Sequence, residues 1–166
     1  MSGSTLARIE VAALRLVLQQ GVQKTNLAEV AHAAGVTRVT VYRLFGDKRG
    51  LLRAVCLQIA APFQRAAEVV AEDSVESIDL RLQRLAQDLR ELPPGNLLAR
   101  LEEISRLYPD VYQEFRRLRE SAIDAIFQRV LEVAGRDGLL REVLKPEVLK
   151  IVFWTLVVGL LVSPAV

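Results

Sequence analysis

The sequence predicts an all-α protein in which an N-terminal three-helix unit with a helix-turn-helix precedes a C-terminal helical bundle. Apolar residues recur three and four positions apart through most of the 166-residue chain, which is the spacing of one helix face. The composition, 51% hydrophobic with 25% charged and only 5% aromatic residues, is typical of a helical soluble protein. We predict two domains, at residues 1–50 and at residues 51–166.

The first helix is predicted from about Thr5 to Gln20, and Gly21 is its stop signal. We expect its apolar stripe to cover the next two helices, so that three helices share one small core. The stripe consists of Ile9, Ala12, Ala13, Leu16 and Val17.

Residues 25–52 predict two short helices joined by a tight turn. Asn26 is a suitable N-cap for the earlier of these two short helices, and a glutamate follows at the spacing of a capping box. Gly35 should end this helix, because the position after a helix favours a left-handed residue. Thr37 then caps the second helix, at about 38–44.

The outward face of this second helix carries two arginines, a threonine, a valine and a tyrosine. A two-turn helix is not stable alone, so it must be held by neighbours. Arginine forks suit guanine edges and phosphates, and Tyr hydroxyls reach phosphates. The next helix along the chain begins at Asp47, with Lys48 in its first turn. The amides of a helix N-terminus and a neighbouring lysine together favour the binding of a phosphate. The alternative is a plain helical hairpin with a solvated face. The candidate DNA-contacting residues are Thr25, Asn26, Thr37, Arg38, Val39, Thr40, Tyr42, Arg43 and Lys48.

Positive charge is concentrated in the same part of the chain. Residues 1–52 contain seven Lys/Arg and three Asp/Glu, whereas residues 53–166 contain fifteen and seventeen. A basic N-terminal part beside a mildly acidic remainder indicates a protein that approaches nucleic acid with one end.

Residues 6 to about 55 follow a recognisable pattern without a gap. The matching residues are Gly21, Thr25, Val30, Ala31, Ala34, Gly35, Val36, Thr37, Thr40, Tyr42, Arg43, Phe45, Lys48, Leu51 and Leu52. This segment resembles the tetracycline-repressor (TetR/AcrR) family of bacterial transcription regulators, from whose pattern Val39, Leu44 and Gly46 depart. The resemblance implies a homodimer that binds double-stranded operator DNA and a C-terminal domain that takes a small apolar effector.

The rest of the chain predicts a helical bundle. The helix opened by Asp47 should be kinked or broken at Pro62, which lacks an amide donor. A break is expected at residues 93–95 and a turn between Gly135 and Gly138. Further helices are predicted at 75–92, 96–107, 109–134 and 146–162.

Several large aromatic residues occur among these C-terminal helices. They could line a ligand pocket, with two hydroxyls to orient the ligand, or they could be ordinary core residues. The resemblance favours the pocket. The candidate pocket residues are Tyr108, Tyr112, Phe115, Phe127 and Trp154.

The last predicted helix is almost wholly apolar. Its run of 12 residues, 151–162, is shorter than the ~20 that a membrane span needs, so we predict no membrane association. A helix that is apolar on every side must be buried on every side, and a second copy of the chain could cover it. The resemblance implies a dimer interface formed by the last two helices of each subunit, and leaves open whether a terminal helix is shorter, absent or cut off. The candidate interface residues are Ile151, Phe153, Leu156, Val157, Gly159 and Leu160.

Several function classes are disfavoured. With only His32 and Cys56 the chain has no zinc-ligand spacing, and it contains no nucleophile elbow, P-loop or dinucleotide fingerprint. We therefore predict no catalytic residue, no metal, no cofactor and no enzymatic activity. A single cysteine and an N-terminus without a secretory signal favour the bacterial cytoplasm, in association with the nucleoid.

The predicted function is a ligand-responsive transcriptional regulator, a repressor, that binds near-palindromic operator DNA as a homodimer. The alternative is a DNA-binding structural or protein-partnered factor without a small-molecule effector. A third reading is a ligand-carrying helical protein that no longer binds DNA, against which the presence of Arg38, Thr40, Tyr42 and Lys48 argues.

Overall fold

The computed structural model describes residues 2–68, 75–136, 138 and 145–162, and the regular secondary structure in these residues is α-helical throughout. The predicted all-α class is confirmed. The helices are α1 Ser2–Gln20, α2 Leu27–Ala34, α3 Arg38–Phe45, α4 Lys48–Glu68, α5 Val75–Arg90, α6 Leu97–Leu107, α7 Pro109–Arg136 and α8 Pro146–Val162.

Helix α4 contains Pro62 and continues to Glu68, so of the two expected outcomes, a kink or a break, the break does not occur. Helix α7 ends at Arg136, and the Gly138 amide donates to Gly135 O at 3.2 Å, so the predicted turn between the two glycines is present. Gly138, with a φ of +67°, lies outside α7 as expected of a turn residue.

The chain divides into two compact units, one formed by residues 1–60 with 93–116 and the other by residues 61–92 with 117–166. Helices α4 and α7 contribute residues to both units. The division between functional domains at residues 50 and 51 stays a prediction.

In the first unit, α1 packs against α2, α2 against α3, and α6 against α1. The fully buried side chains include Val17, Val30 and Val41, one from each of the first three helices. Leu18 is also buried, although it lies outside the predicted stripe of α1, because α6 covers a second side of that helix. Two exposed ion pairs, Arg49–Asp110 at 2.6 Å and Arg53–Glu114 at 2.7 Å, join α4 to α7.

Cys56 is a buried thiol of the same unit. Burial, with a smaller effect from the Glu114 carboxylate, raises the pKa of Cys56 to about 12. A thiol reacts through its thiolate, so burial disfavours the reactive form of Cys56.

The second unit has one apolar core to which α4, α5, α7 and α8 contribute. Phe63 belongs to this core and is completely buried. Exposed ion pairs at the edges join Arg65 to Asp88 and Lys150 to Asp124, at 2.6 and 2.9 Å. The core consists of Phe63, Ala66, Leu85, Leu89, Ala122, Ile123 and Ile126, with Ala67, Leu92, Val130, Phe153 and Trp154 packed against it.

Among the described helices, none is long and apolar enough to cross a membrane.

Candidate nucleic-acid interface

Helix α2 begins with a complete capping box. The Asn26 side-chain oxygen accepts hydrogen bonds from the backbone amides of Ala28 and Glu29, each at 3.0 Å. The Glu29 carboxylate accepts in return from the Asn26 amide at 3.4 Å. The predicted N-cap is confirmed, and it satisfies amides at the start of the helix that would otherwise lack partners.

The turn between α2 and α3 depends on one left-handed glycine. Gly35 has a φ of +64°, and the next amide, of Val36, donates to Ala31 O at 3.0 Å. This is the hydrogen bond of a Schellman motif, in which glycine avoids a Cβ clash. Thr37 then caps α3, because its hydroxyl accepts from the Thr40 amide at 3.2 Å.

Helix α3 is attached through one face and offers the other to solvent. Val41 is completely buried, whereas Arg38 and Arg43 are exposed. Val39 and Tyr42 are 75% and 55% exposed. The two guanidinium groups, the phenol and the branched apolar group thus lie on an accessible surface of a rigidly anchored helix.

The start of α4 supplies a further cation. The Asp47 carboxylate accepts from the Gly50 amide at 2.8 Å, which confirms it as a cap. The Lys48 ammonium donates to Gln23 O at 3.2 Å, and its remaining protons can still bind another acceptor. Gly50 was not among the predicted residues, but an added Cβ there would overlap the carbonyl oxygen of Phe45. A glycine at this position therefore lets α4 start close to the end of α3.

Thr25 does not fit its predicted role. Its side chain is only 1% exposed, and its hydroxyl donates to Gly21 O at 2.8 Å. The Thr25 amide donates to the same carbonyl at 3.2 Å. Thr25 therefore closes the turn that follows α1, and DNA cannot reach its side chain.

Two residues of α6 complete this region, and the sequence contained no signal for them. The Glu103 carboxylate accepts from the amides of Val22 and Gln23, both at 3.0 Å, and from the Arg100 guanidinium at 3.3 Å. Burial raises the pKa of Glu103, but these hydrogen bonds and the charge of Arg100 outweigh that effect and lower it overall. The carboxylate is therefore ionised in neutral solution.

The predicted pocket residues belong to both compact units. In the first unit the rings of Tyr112 and Phe115 lie 6.0 Å apart, and Tyr108 lies 5.7 Å from the Arg49 guanidinium. In the second unit, Phe127 is buried and packs on the ring of Phe153.

Trp154, the fifth predicted pocket residue, also belongs to the second unit. It packs against the core of that unit and lies 5.7 Å from the Arg119 guanidinium. A ligand pocket among these five residues stays a prediction.

The predicted interface residues of α8 are divided between two sides. Ile151 is 67% exposed, and its neighbour Val152 is exposed as well. Phe153 instead packs on Phe127, at 5.5 Å between ring centroids, so it serves the core of its own unit. The side chains of Leu156, Val157, Gly159 and Leu160 lie outside the described residues.

No group of three His, Cys, Asp or Glu side chains in the described part of the chain could hold a metal ion. His32 is exposed on α2.

Comparison with known proteins identifies the N-terminal region. The family model "Bacterial regulatory proteins, tetR family" matches residues 9–55. The HTH-type transcriptional regulator TtgR of Pseudomonas putida is 32% identical over 123 residues, which are 72% of this chain. These residues span 59% of the length of TtgR.

Two further matches extend over more of the chain. The uncharacterised HTH-type transcriptional regulator MT2310 of Mycobacterium tuberculosis is 30% identical over 139 residues, 82% of this chain and 70% of that protein. The crystal structure of the TetR family transcriptional regulator PfmR from Thermus thermophilus superposes with a TM-score of 0.69 at 22% identity, covering 93% of this chain and 84% of that one. Together with its capped helix-turn-helix, these matches show that the chain belongs to the TetR family of bacterial regulatory proteins.

Proposed function

We propose that this protein is a homodimeric transcriptional regulator, a repressor, that binds near-palindromic operator DNA and releases it when a small apolar ligand binds. The observation that carries the proposal is the outward face of α3, where Arg38, Val39, Tyr42 and Arg43 are exposed on a helix anchored by Val41. A helix of this kind fits the major groove and can read base edges. Such a protein acts in the bacterial cytoplasm, on DNA of the nucleoid.

The candidate contact residues divide by chemistry, and two of them, Thr40 and Lys48, are half-buried. Arg38, Thr40 and Arg43 can donate to base edges or to nearby phosphates, and Val39 can contact a thymine methyl group. Tyr42 and Lys48 are suited to phosphates, as are the positive N-terminal ends of α2 and α3, although Asn26 and Thr37 already accept from some of the amides there.

Dimerisation is supported by the exposed apolar side chains of α8. Ile151 and Val152 lie in water in the single chain, next to a helix end of continuous apolar sequence. A two-fold axis through this region would present two α3 helices to two half-sites of an operator.

Alanine replacements on the DNA-binding face should separate two kinds of contact. Lys48→Ala should weaken binding to all duplexes alike and reduce the salt slope by about one, because one phosphate contact is lost. Arg38→Ala should instead reduce the preference for the selected sequence, by about 1–3 kcal/mol per lost base contact. Fluorescence anisotropy measures both, with a duplex that the wild-type protein selects from a random library and with a scrambled duplex.

Each of these two variants is the control of the other, because Lys48→Ala changes affinity uniformly and Arg38→Ala changes discrimination between duplexes. A Lys48→Ala protein that binds as tightly and with the same salt dependence as the wild type contradicts the phosphate assignment. A wild-type protein that selects no sequence contradicts the proposed function itself.

The effector part of the proposal has its own test. A ligand that binds only the folded state at 100 times its Kd stabilises it by about 2.7 kcal/mol. For a chain of this size that raises Tm by roughly 5–11 °C. A thermal-shift screen against a library of small apolar compounds should therefore find stabilisers that also release the selected duplex. If no stabiliser releases DNA, the factor without a small-molecule effector becomes the better reading.

A further inference from the structure

The turn between α1 and α2 is held from two sides by charged side chains. On one side the Glu103 carboxylate accepts from the amides of Val22 and Gln23. On the other side the Lys48 ammonium donates to Gln23 O at 3.2 Å. The backbone of Gln23 thus has a hydrogen bond from its amide to a residue of α6 and one to its carbonyl from a residue of α4.

The contact with α6 is built into the backbone of α1. Arg100 donates through Nε to Leu18 O at 3.4 Å, where a cation suits the C-terminal end of α1. Gly21 has a φ of +96°, so a side chain would be strained in this turn. At Gly95, just before α6, an added Cβ would overlap the carbonyl oxygen of Leu18. The backbone at Gly95 thus lies close to the backbone of α1, which indicates a defined position of α6 against α1.

A carboxylate is well suited to accept hydrogen bonds from the two amides of this turn. Val22 is completely buried, so its amide needs a partner from the protein. The Val22 amide donates to Oε2 and the Gln23 amide to Oε1, so a carboxamide would turn its NH₂ group toward one of these donors, whereas a carboxylate offers an acceptor to each. The bond to an ionised acceptor is also stronger than a neutral one.

We propose that Glu103 is a positioning residue for DNA binding, which places Lys48 and the start of α2 against the phosphate backbone by holding the turn between α1 and α2. The inference rests on the proposed function and deepens it. It assigns to α6, which carries none of the predicted DNA contacts, control over the geometry of contacts made elsewhere.

The test compares Glu103→Gln and Glu103→Ala with Glu102→Gln, an exposed neighbour on the same helix that loses the same charge. Binding to the selected and scrambled duplexes is measured where circular dichroism shows every variant folded. We expect Glu103→Gln to bind both duplexes about threefold to tenfold more weakly, with their ratio unchanged, and Glu103→Ala to lose more than about tenfold. Glu102→Gln should bind at least as tightly as the wild type, because removing a negative charge favours DNA.

A second comparison tests whether Glu103 affects DNA binding through Lys48. In a Lys48→Ala background the loss caused by Glu103→Gln should shrink, because the two residues act on the same turn. An undiminished loss would show that Glu103 does not act through Lys48 and would overturn that part of the proposal. A purely structural role would lower Tm and the active fraction, but would leave the Kd of the folded molecules unchanged.

Hydrogen exchange of the wild-type protein tests the same contact without any variant. The amides of Val22 and Gln23 should be protected both in the free protein and in its complex with the selected duplex. Loss of their protection on DNA binding, or equal DNA affinity of Glu103→Gln and Glu102→Gln, overturns the inference while leaving the proposed function intact. A wild-type protein that selects no duplex overturns both.

Discussion

Replacing Phe63 by alanine is expected to destabilise the protein by about 3–5 kcal/mol. Phe63 is completely buried in the core of the second unit, to which α4, α5 and α7 contribute side chains. Removing the ring forfeits its burial and leaves a cavity that close-packed neighbours fill only in part. Since domains are stable by only about 5–15 kcal/mol, this is a large fraction of the total.

Thermal and urea unfolding followed by circular dichroism measure the effect, and Tm should fall by roughly 6–20 °C. Leu57→Ala is the matched control, because Leu57 lies on the same helix but is 41% exposed. Its cost should stay below about 1 kcal/mol. If Phe63→Ala costs no more than Leu57→Ala, the core around Phe63 is not closely packed.

Replacing Ile151 by arginine should convert the proposed dimer into a monomer. Ile151 is 67% exposed in the single chain, so a new charge there does not disturb the core of its own subunit. In a dimer that covers this side of α8 the charge would be buried without a partner, at a cost of several kcal/mol. Because both half-sites must be bound together, operator affinity should fall by at least about 10²-fold, although every residue of α3 is intact.

Sedimentation equilibrium at micromolar concentration measures the assembly. Val11→Arg is the control, because Val11 is an exposed valine, at 59%, on α1 in the other unit. This variant should sediment as the wild type does. A wild-type monomer, or an Ile151→Arg protein that remains dimeric, would contradict the assignment of this side of α8 to the interface.

Local patterns in the sequence predicted the helix-turn-helix closely. Asn26, Gly35, Thr37 and Asp47 each perform the capping or turn role expected of them. Such roles depend on backbone groups two to four residues away, which are neighbours in any structure that contains the helix. The same reasoning predicted a turn between Gly135 and Gly138, and the Gly138 amide donates to Gly135 O at 3.2 Å.

The roles of individual side chains were less accessible. The family pattern includes Thr25, but only the folded chain shows that its hydroxyl is buried against Gly21 O. On α8 the sequence is apolar on every side, so periodicity could not distinguish Phe153, which faces the core, from Ile151, which faces water. That distinction depends on which side of α8 meets the core of its unit, where Phe153 packs on Phe127 of α7.

The sequence by itself determined the helical class of this protein, most helix boundaries and the capped helix α3. Each of these follows from interactions within about one helical turn. Only the tertiary structure decided that Glu103 holds the turn at Val22, since these residues are separated by 81 positions. No periodicity or cap encodes such a pair, because the partner of a buried amide is chosen by how whole helices pack.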